Sequence, residues 1–297
     1  MDDVGVLVGI PLLLGFAWLL PENYWPPIGQ LLSPLAVSGL TPDPQATSGS
    51  IRRTLGSRLP ATDGRKILRD MASEGILTFF QVLRCYRFDR WAPAVRIANV
   101  ERVEQARQSG RGVILWVAHA FHGHLGAKVA FRRAGLSVSH LSRPTHGFSS
   151  TRFGVRYLNW LQRVVEDRHL AERIQLPLEG QNAALNIVIR RLRANSVVSI
   201  TAQRGTGRTV DAPFLDGRLL LAPGGPTLAH ITGATLLPVF AFRDESGVID
   251  VTVEPPIEVP ADAPRDAAVA AAVRRYAAVL EPYVLRYPGQ WLGWPQL

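Results

Sequence analysis

Lysine is almost missing from this chain. Of 33 basic residues only Lys66 and Lys128 are lysines; the others are arginines. Acidic residues number 24, so the net charge is +9 and the isoelectric point about 10.5. Guanidinium groups pair bidentately with phosphate and carboxylate, so this excess points to anionic partners such as acidic lipid. Nucleic acid is the competing anion, but there is no basic-aromatic cluster, helix-turn-helix signature or zinc spacing to support it. Cys85 is the only cysteine. That excludes an internal disulfide, and its apolar neighbourhood reads as a buried, inert thiol. Charged residues make up only 19% against 47% hydrophobic, a balance suited to a protein with a membrane-facing part.

The 297 residues suffice for one large domain or two small ones. Val4 to Leu20 is uncharged and mainly apolar. As a helix it reaches roughly 26 Å, the short edge of what spans a bilayer. Gly5, Gly9, Pro11 and Gly15 weaken it, while Tyr24, Trp25 and Pro26-Pro27 follow where an interfacial belt would lie. Asp2 and Asp3 stand where a cleaved signal peptide would be basic. Three parts are expected: an N-terminal hydrophobic membrane-anchoring segment (1–37), a linker or loosely packed lead-in rich in Gly, Ser, Thr and Pro (38–63), and an α/β domain (64–297). A buried core helix is the alternative for the first part.

Within the α/β part, helical periodicity marks Lys66–Arg87, His124–Arg133, Thr151–Val165 and Gln181–Arg193. Apolar or alternating runs mark strands at Gly112–Ala118, Leu136–Ser142, Ser196–Ala202 and Ala234–Phe242. Val248–Glu254 alternates strongly and reads as an edge strand. Asp262 is placed to cap a last helix with Val269, Val273, Tyr276 and Leu280 on one stripe. Alternation of strand and helix implies a mixed central sheet flanked by helices.

His119 follows the apolar run Gly112–Ala118 and opens into a Gly-containing turn. A base is commonly placed this way, at a strand tip entering a loop. Several segments stand around it in order: Arg111-Gly112-Val113-Ile114-Leu115 leading to Ala118-His119; Leu141-Ser142-Arg143-Pro144; Ala212–Arg218; Ala222–Leu228; Thr232–Phe240; Glu254-Pro255-Pro256-Ile257; and Arg286–Trp291. Taken together they resemble the lipid A biosynthesis (lauroyl/myristoyl) acyltransferases, within the lysophospholipid acyltransferase superfamily. The likeness runs from about residue 70 to the end.

The resemblance implies a glycerol-3-phosphate acyltransferase-like α/β fold with an N-terminal hydrophobic helix. It implies transfer of a fatty acyl group from an acyl thioester to a hydroxyl of a lipid or glycolipid, with His119 as general base. The donor would be acyl-CoA or acyl-carrier protein, with no metal or other cofactor. Anionic membrane lipid is the expected partner, at a bacterial inner membrane with the site on the cytoplasmic side. Arg143 and Arg156, with Arg204 and Arg208 from the Arg204-Gly205-Thr206-Gly207-Arg208 turn, would contact anionic groups; Arg152 is a weaker candidate. His122 would line the cleft. Pro223-Gly224-Gly225-Pro226 opens a helix whose free N–H groups could hold an anion. Trp291, Trp294 and Tyr287 read as packed closure or interface anchors.

The chain departs from the family at one informative place. The family pattern is H-x-x-x-x-D/E, and here the fifth residue after His119 is His124. A second departure is Ala202, where the family tends to carry an acid before Gln203. Three readings stay open. A carboxylate from elsewhere serves His119, the candidates being Glu166, Asp167, Glu179, Asp211 and Asp216. Or His124 is the partner in a His-His dyad. Or the chain is a degenerate relative that binds lipid or scaffolds partners. A metal-dependent hydrolase using His119, His122 and His124 as ligands is a further, weaker alternative.

Overall fold

The structure is a computed structural model. It describes residues 11, 13–40, 43–56, 58, 63–143, 146–147, 152–177, 180–204 and 207–294. A seven-stranded sheet runs in the order β1-β9-β8-β2-β5-β3-β4. The strands are β1 (Val95–Ala98), β2 (Val113–Ala118), β3 (Val138–Ser142), β4 (Glu172–Gln175), β5 (Val197–Ala202), β8 (Thr235–Arg243) and β9 (Ile249–Val253). β6 (Val210–Phe214) and β7 (Gly217–Leu221) form a separate antiparallel hairpin. Every neighbouring pair in the large sheet is parallel except β8–β9.

β2 sits centrally and all six of its side chains are buried. Parallel strands covered on both faces read as continuous apolar runs, and Val-Ile-Leu-Trp-Val-Ala is one. Its alternate residues feed two cores. Ile114, Trp116 and Ala118 pack with residues of helices Gly64–Arg84, Asn182–Arg193, Gly224–Thr232 and Arg265–Arg286. Val113, Leu115 and Val117 pack with Val103 and with Ala127, Ala130 and Phe131 of helix Gly126–Arg133. The chain is therefore a three-layer α/β/α sandwich with β2 at its centre.

Several sequence expectations need correction. Val248–Glu254 is not at an edge, because the short strand β1 pairs in parallel with β9 and covers it. The last helix begins at Arg265, after Pro264, with no side-chain cap; Asp262 lies upstream of it. Within the stretch expected as linker, Pro44–Leu55 is a helix. Asp43 caps it by accepting from the Ala46 N–H at 2.9 Å, and Ile51 and Leu55 are buried. Helix Trp25–Leu40 continues across the expected boundary at residue 37.

Part of the expected anchor, residues 1–10 and Leu12, lies outside the described residues. Among those described, no helix is long and apolar enough to cross a membrane. Trp25 is buried rather than interfacial, edge-on to Phe80 at 5.8 Å and Trp91 at 6.0 Å. Arg84 ties this region down. Its Nη1 donates to the carbonyls of Ala17 (3.2 Å) and Leu20 (2.8 Å), and its guanidinium lies over the Trp25 ring at 5.2 Å. The C-terminal tryptophans close the core as expected: Trp291 and Trp294 are buried, and Trp291 meets Phe214 at 5.1 Å.

Gly112 sets the entry to β2. Its φ is +78°, and a Cβ there would lie 2.5 Å from the Leu192 carbonyl oxygen. Backbone blocks that contact on one side, and the left-handed conformation penalises any side chain on the other. Gly112→Ala is expected to cost about 1–3 kcal/mol of stability. Chemical denaturation checks this; an unchanged midpoint would show that the strand entry relaxes freely.

Candidate active site

A cleft of about 820 Å³ opens at the carboxyl ends of β2, β3 and β5, where ligands bind in parallel α/β sheets. His119, His124, Arg143 and Arg208 line it, as do His140 and His146. Pro223, Gly224 and Gly225, at the start of helix Gly224–Thr232, line it as well. The sequence-predicted Arg156 and Arg204 are not among the lining residues. Arg156 instead lies 5.7 Å from the Tyr157 ring. Arg208 is exposed and pairs with Asp266 at 3.1 Å. Of the residues expected as a turn at 204–208, Gly205 and Thr206 lie outside the described residues, as does Glu179. Nothing is described of the Arg152 side chain.

His119 leaves the tip of β2 and is fixed through its backbone. Its carbonyl accepts from the Leu292 N–H at 2.9 Å, and Ala120 bridges Trp291. A one-turn helix, Phe121–His124, follows at once. Gly123 permits that tightness, since a Cβ there would lie 2.7 Å from the Ala118 carbonyl oxygen. The turn aims its histidines in different directions.

His122 does not line the cleft. It is buried, and its Nε2 lies 3.0 Å from Glu74. Arg243 donates to the same carboxylate at 2.5 Å. Burial pushes the Glu74 pKa up. The hydrogen bond and charge of His122 and the charge of Arg243 outweigh that and hold it at about 2. Gln290 clasps the Arg243 backbone, accepting from its N–H and donating to its carbonyl, each at 2.7 Å. His122 is thus part of a buried ionic lock between helix Gly64–Arg84, the turn and the end of β8. Because His122 points away, the cluster of His119, His122 and His124 does not form.

What forms instead is a row of rings in which His119 and His124, singled out in the sequence, are joined by His146 and His140, which were not. His119 faces His124 at 5.9 Å between centroids, His124 faces His146 at 4.9 Å, and His146 faces His140 at 6.2 Å. His146 Nε2 lies 2.9 Å from both oxygens of Glu166. Glu166 has no exposed surface. It is held further by Lys128 (3.0 Å), Arg173 (2.8 Å) and the Gln162 amide (2.8 Å). Burial would raise its pKa, but the charges of Lys128, His146 and Arg173 hold it well below the usual carboxylate range.

No carboxylate among the described residues hydrogen-bonds to His119, and its Nδ1 is buried without a partner there. Of the candidate acids, Glu166 comes nearest in connection, through His146 and His124. Asp167 is taken up by Arg173 at 2.6 Å, Asp211 by Arg218 at 2.5 Å, and Asp216 lies 4.0 Å from Arg58. Burial, with charge on His146 as a secondary cause, pushes the His119 pKa down to about 4. His119 is partly buried, with its Nδ1 enclosed. Burial also holds His124 and His140 well below 6.5.

These histidines are neutral when folded, so the unfolded chain binds more protons than the native one as pH drops. Their contribution to stability is present above about 6.5 and is lost as pH falls toward the folded value of about 4. The melting temperature should therefore be lower at pH 5 than at pH 7.5. Equal values by calorimetry would contradict neutral burial.

Comparison with known proteins bears on this geometry. No curated protein matches the chain. The family model described as bacterial lipid A biosynthesis acyltransferase matches residues 51–294, which include the whole sheet and every described residue of the cleft. The chain belongs to the bacterial lipid A biosynthesis acyltransferase family.

Proposed function

We propose that the protein transfers a fatty acyl group from a thioester of coenzyme A or acyl-carrier protein to a hydroxyl of a lipid or glycolipid. Family membership supports acyl transfer to a lipid acceptor. The observation that carries the assignment to this site is His119, a neutral imidazole at the tip of the central strand, opening on the cleft. In the proposed step the acceptor oxygen attacks the thioester carbonyl and gives its proton to Nε2 of His119. The new O–C bond forms, the C–S bond breaks, and the proton passes to the departing thiolate. The first-turn N–H groups of helix Gly224–Thr232, whose Gly224 and Gly225 line the cleft, would serve as preorganised donors for the oxyanion. Arg143 at the rim suits an anionic group of donor or acceptor. The half-burial of His124 beside His119 makes it a ring-packing neighbour that supplies no negative charge.

A second reading is a lipid-binding relative without turnover. Its motive is specific: among the described residues the Nδ1 of His119 has no acceptor to hold the tautomer. One experiment separates the two. The folded chain is given acyl-CoA, acyl-carrier protein and a bacterial lipid extract, and products are read by mass spectrometry. An acylated lipid that falls about 10²–10⁴-fold with His119→Ala supports the base assignment. Its rate should hold from pH 8 down to about 5.5 and fail only below, following the depressed His119. Lipid binding without product would establish the second reading.

We infer further that the protein works at a membrane surface, the inner membrane of a bacterium. Leu19 (84%), Leu31 (78%), Leu35 (75%) and Phe88 (95%) are large apolar side chains left in solvent. Leu31 and Leu35 lie one turn apart on helix Trp25–Leu40, and the chain's positive charge favours acidic headgroups. The protein should sediment with vesicles of anionic phospholipid, and Leu31→Glu with Leu35→Glu should lower the bound fraction. Binding untouched by that pair would place the contact elsewhere.

A further inference from the structure

We propose that His124, His146 and Glu166 form a binding site for a first-row transition dication, zinc being the best-fitting probe. One ligand atom from each lies within 4.8 Å of the others. Two imidazoles and a carboxylate are the donor set of many zinc and non-haem iron sites. The inference stands apart from the acyl-transfer reading, which requires no metal.

Three further features of the site suit an ion. The first is access: His124 and His146 both line the cleft, so an ion has a path in. The second is unused coordination capacity. The His124 ring makes no hydrogen bond among the described residues and meets those of His119 and His146 only as ring contacts. The third is support for the carboxylate. Lys128 and Arg173 both take Oε2 of Glu166, and Gln162 donates to Oε1. Ligating carboxylates are commonly hydrogen-bonded from behind in this way.

Those same cations are the main objection, since a dication adds positive charge beside Lys128 and Arg173. Two things limit it. Arg173 also pairs with Asp167 at 2.6 Å. The ion would also take the place of the hydrogen that His146 Nε2 shares with Glu166, rather than join it. Ligand atoms about 2.0–2.1 Å from zinc sit roughly 3.4 Å apart in a tetrahedral site. The three groups must therefore close in from their present spacing. His119 and His140 border the site as neighbouring rings, 5.9 Å from His124 and 6.2 Å from His146.

The test is calorimetric titration of the EDTA-treated, tag-free chain with zinc chloride, with metal content read by mass spectrometry after desalting. One zinc per chain is expected. His146→Ala and His124→Ala should each weaken it by more than the roughly 10–100-fold typical of losing a group that only supports a ligand. His169→Ala, outside the cleft, should bind as the parent does. Glu166→Gln adds the third ligand where circular dichroism shows it folded. No stoichiometric zinc on the folded parent would overturn the proposal. So would zinc whose affinity ignores both His146→Ala and His124→Ala.

Discussion

Burying a carboxylate is the constraint around which this site is organised. Glu166 is fully enclosed, and an ionised carboxylate without partners in such a place would cost far more than folding can spare. It therefore gathers Lys128, Arg173, Gln162 and His146. Those partners come from helix Gly126–Arg133, strand β4, helix Asn159–Asp167 and the turn after β3. One buried charge thus fixes the mutual position of these elements behind His146, the one of its partners that lines the cleft. Glu74 does the same on the other side of the histidine turn, joining His122 and Arg243. Between the two locks the segment His119–His124 has little freedom, and the ring of His119 is set by its surroundings rather than by a hydrogen bond of its own.

This arrangement changes the electrostatics expected of the family. A carboxylate five residues after the base would hold the imidazole and favour its charged form. In this chain the neighbour is an imidazole, and the next ring along already shares its bond with Glu166. Neither offers His119 a negative charge to offset its burial, which, with charge on His146 as a secondary cause, pushes its pKa down to about 4. A base with so low a pKa is always ready to accept a proton near neutrality but holds it weakly. That lowers the driving force for deprotonating an alcohol and shifts the demand onto oxyanion donors and substrate positioning.

Much of the scaffold was legible because buried parallel strands announce themselves as unbroken apolar runs. β2, β5 and β8 are such runs, and His119 at the tip of the first could be picked out from them. The short outer strands were not legible. Val-Arg-Ile-Ala and Glu-Arg-Ile-Gln are short and interrupted by charged residues, so they look like loop, and missing the first made β9 seem an edge. The Pro44–Leu55 helix was hidden by small polar residues, although Asp43 before Pro44 is a start signal. At the site, sequence spacing grouped His119, His122 and His124, whereas the tight turn at Gly123 sends His122 behind the cleft. His146 and Glu166 meet only through the fold. The one local hint was Lys128, a rare lysine in an arginine-rich chain, placed one helical turn after His124 and buried.

A neutral His119 presented to the cleft, with no carboxylate bonded to it among the described residues, is central to this chemistry. Nitrogen-15 spectra of the histidine side chains, followed against pH in the folded chain, test that directly. The account predicts that the His119 ring stays neutral from pH 7.5 to about 5 and begins to protonate only toward its depressed value of about 4. A His119 ring that titrates at 6.5 or above would contradict it, because such a ring would need a negative partner that this arrangement does not provide.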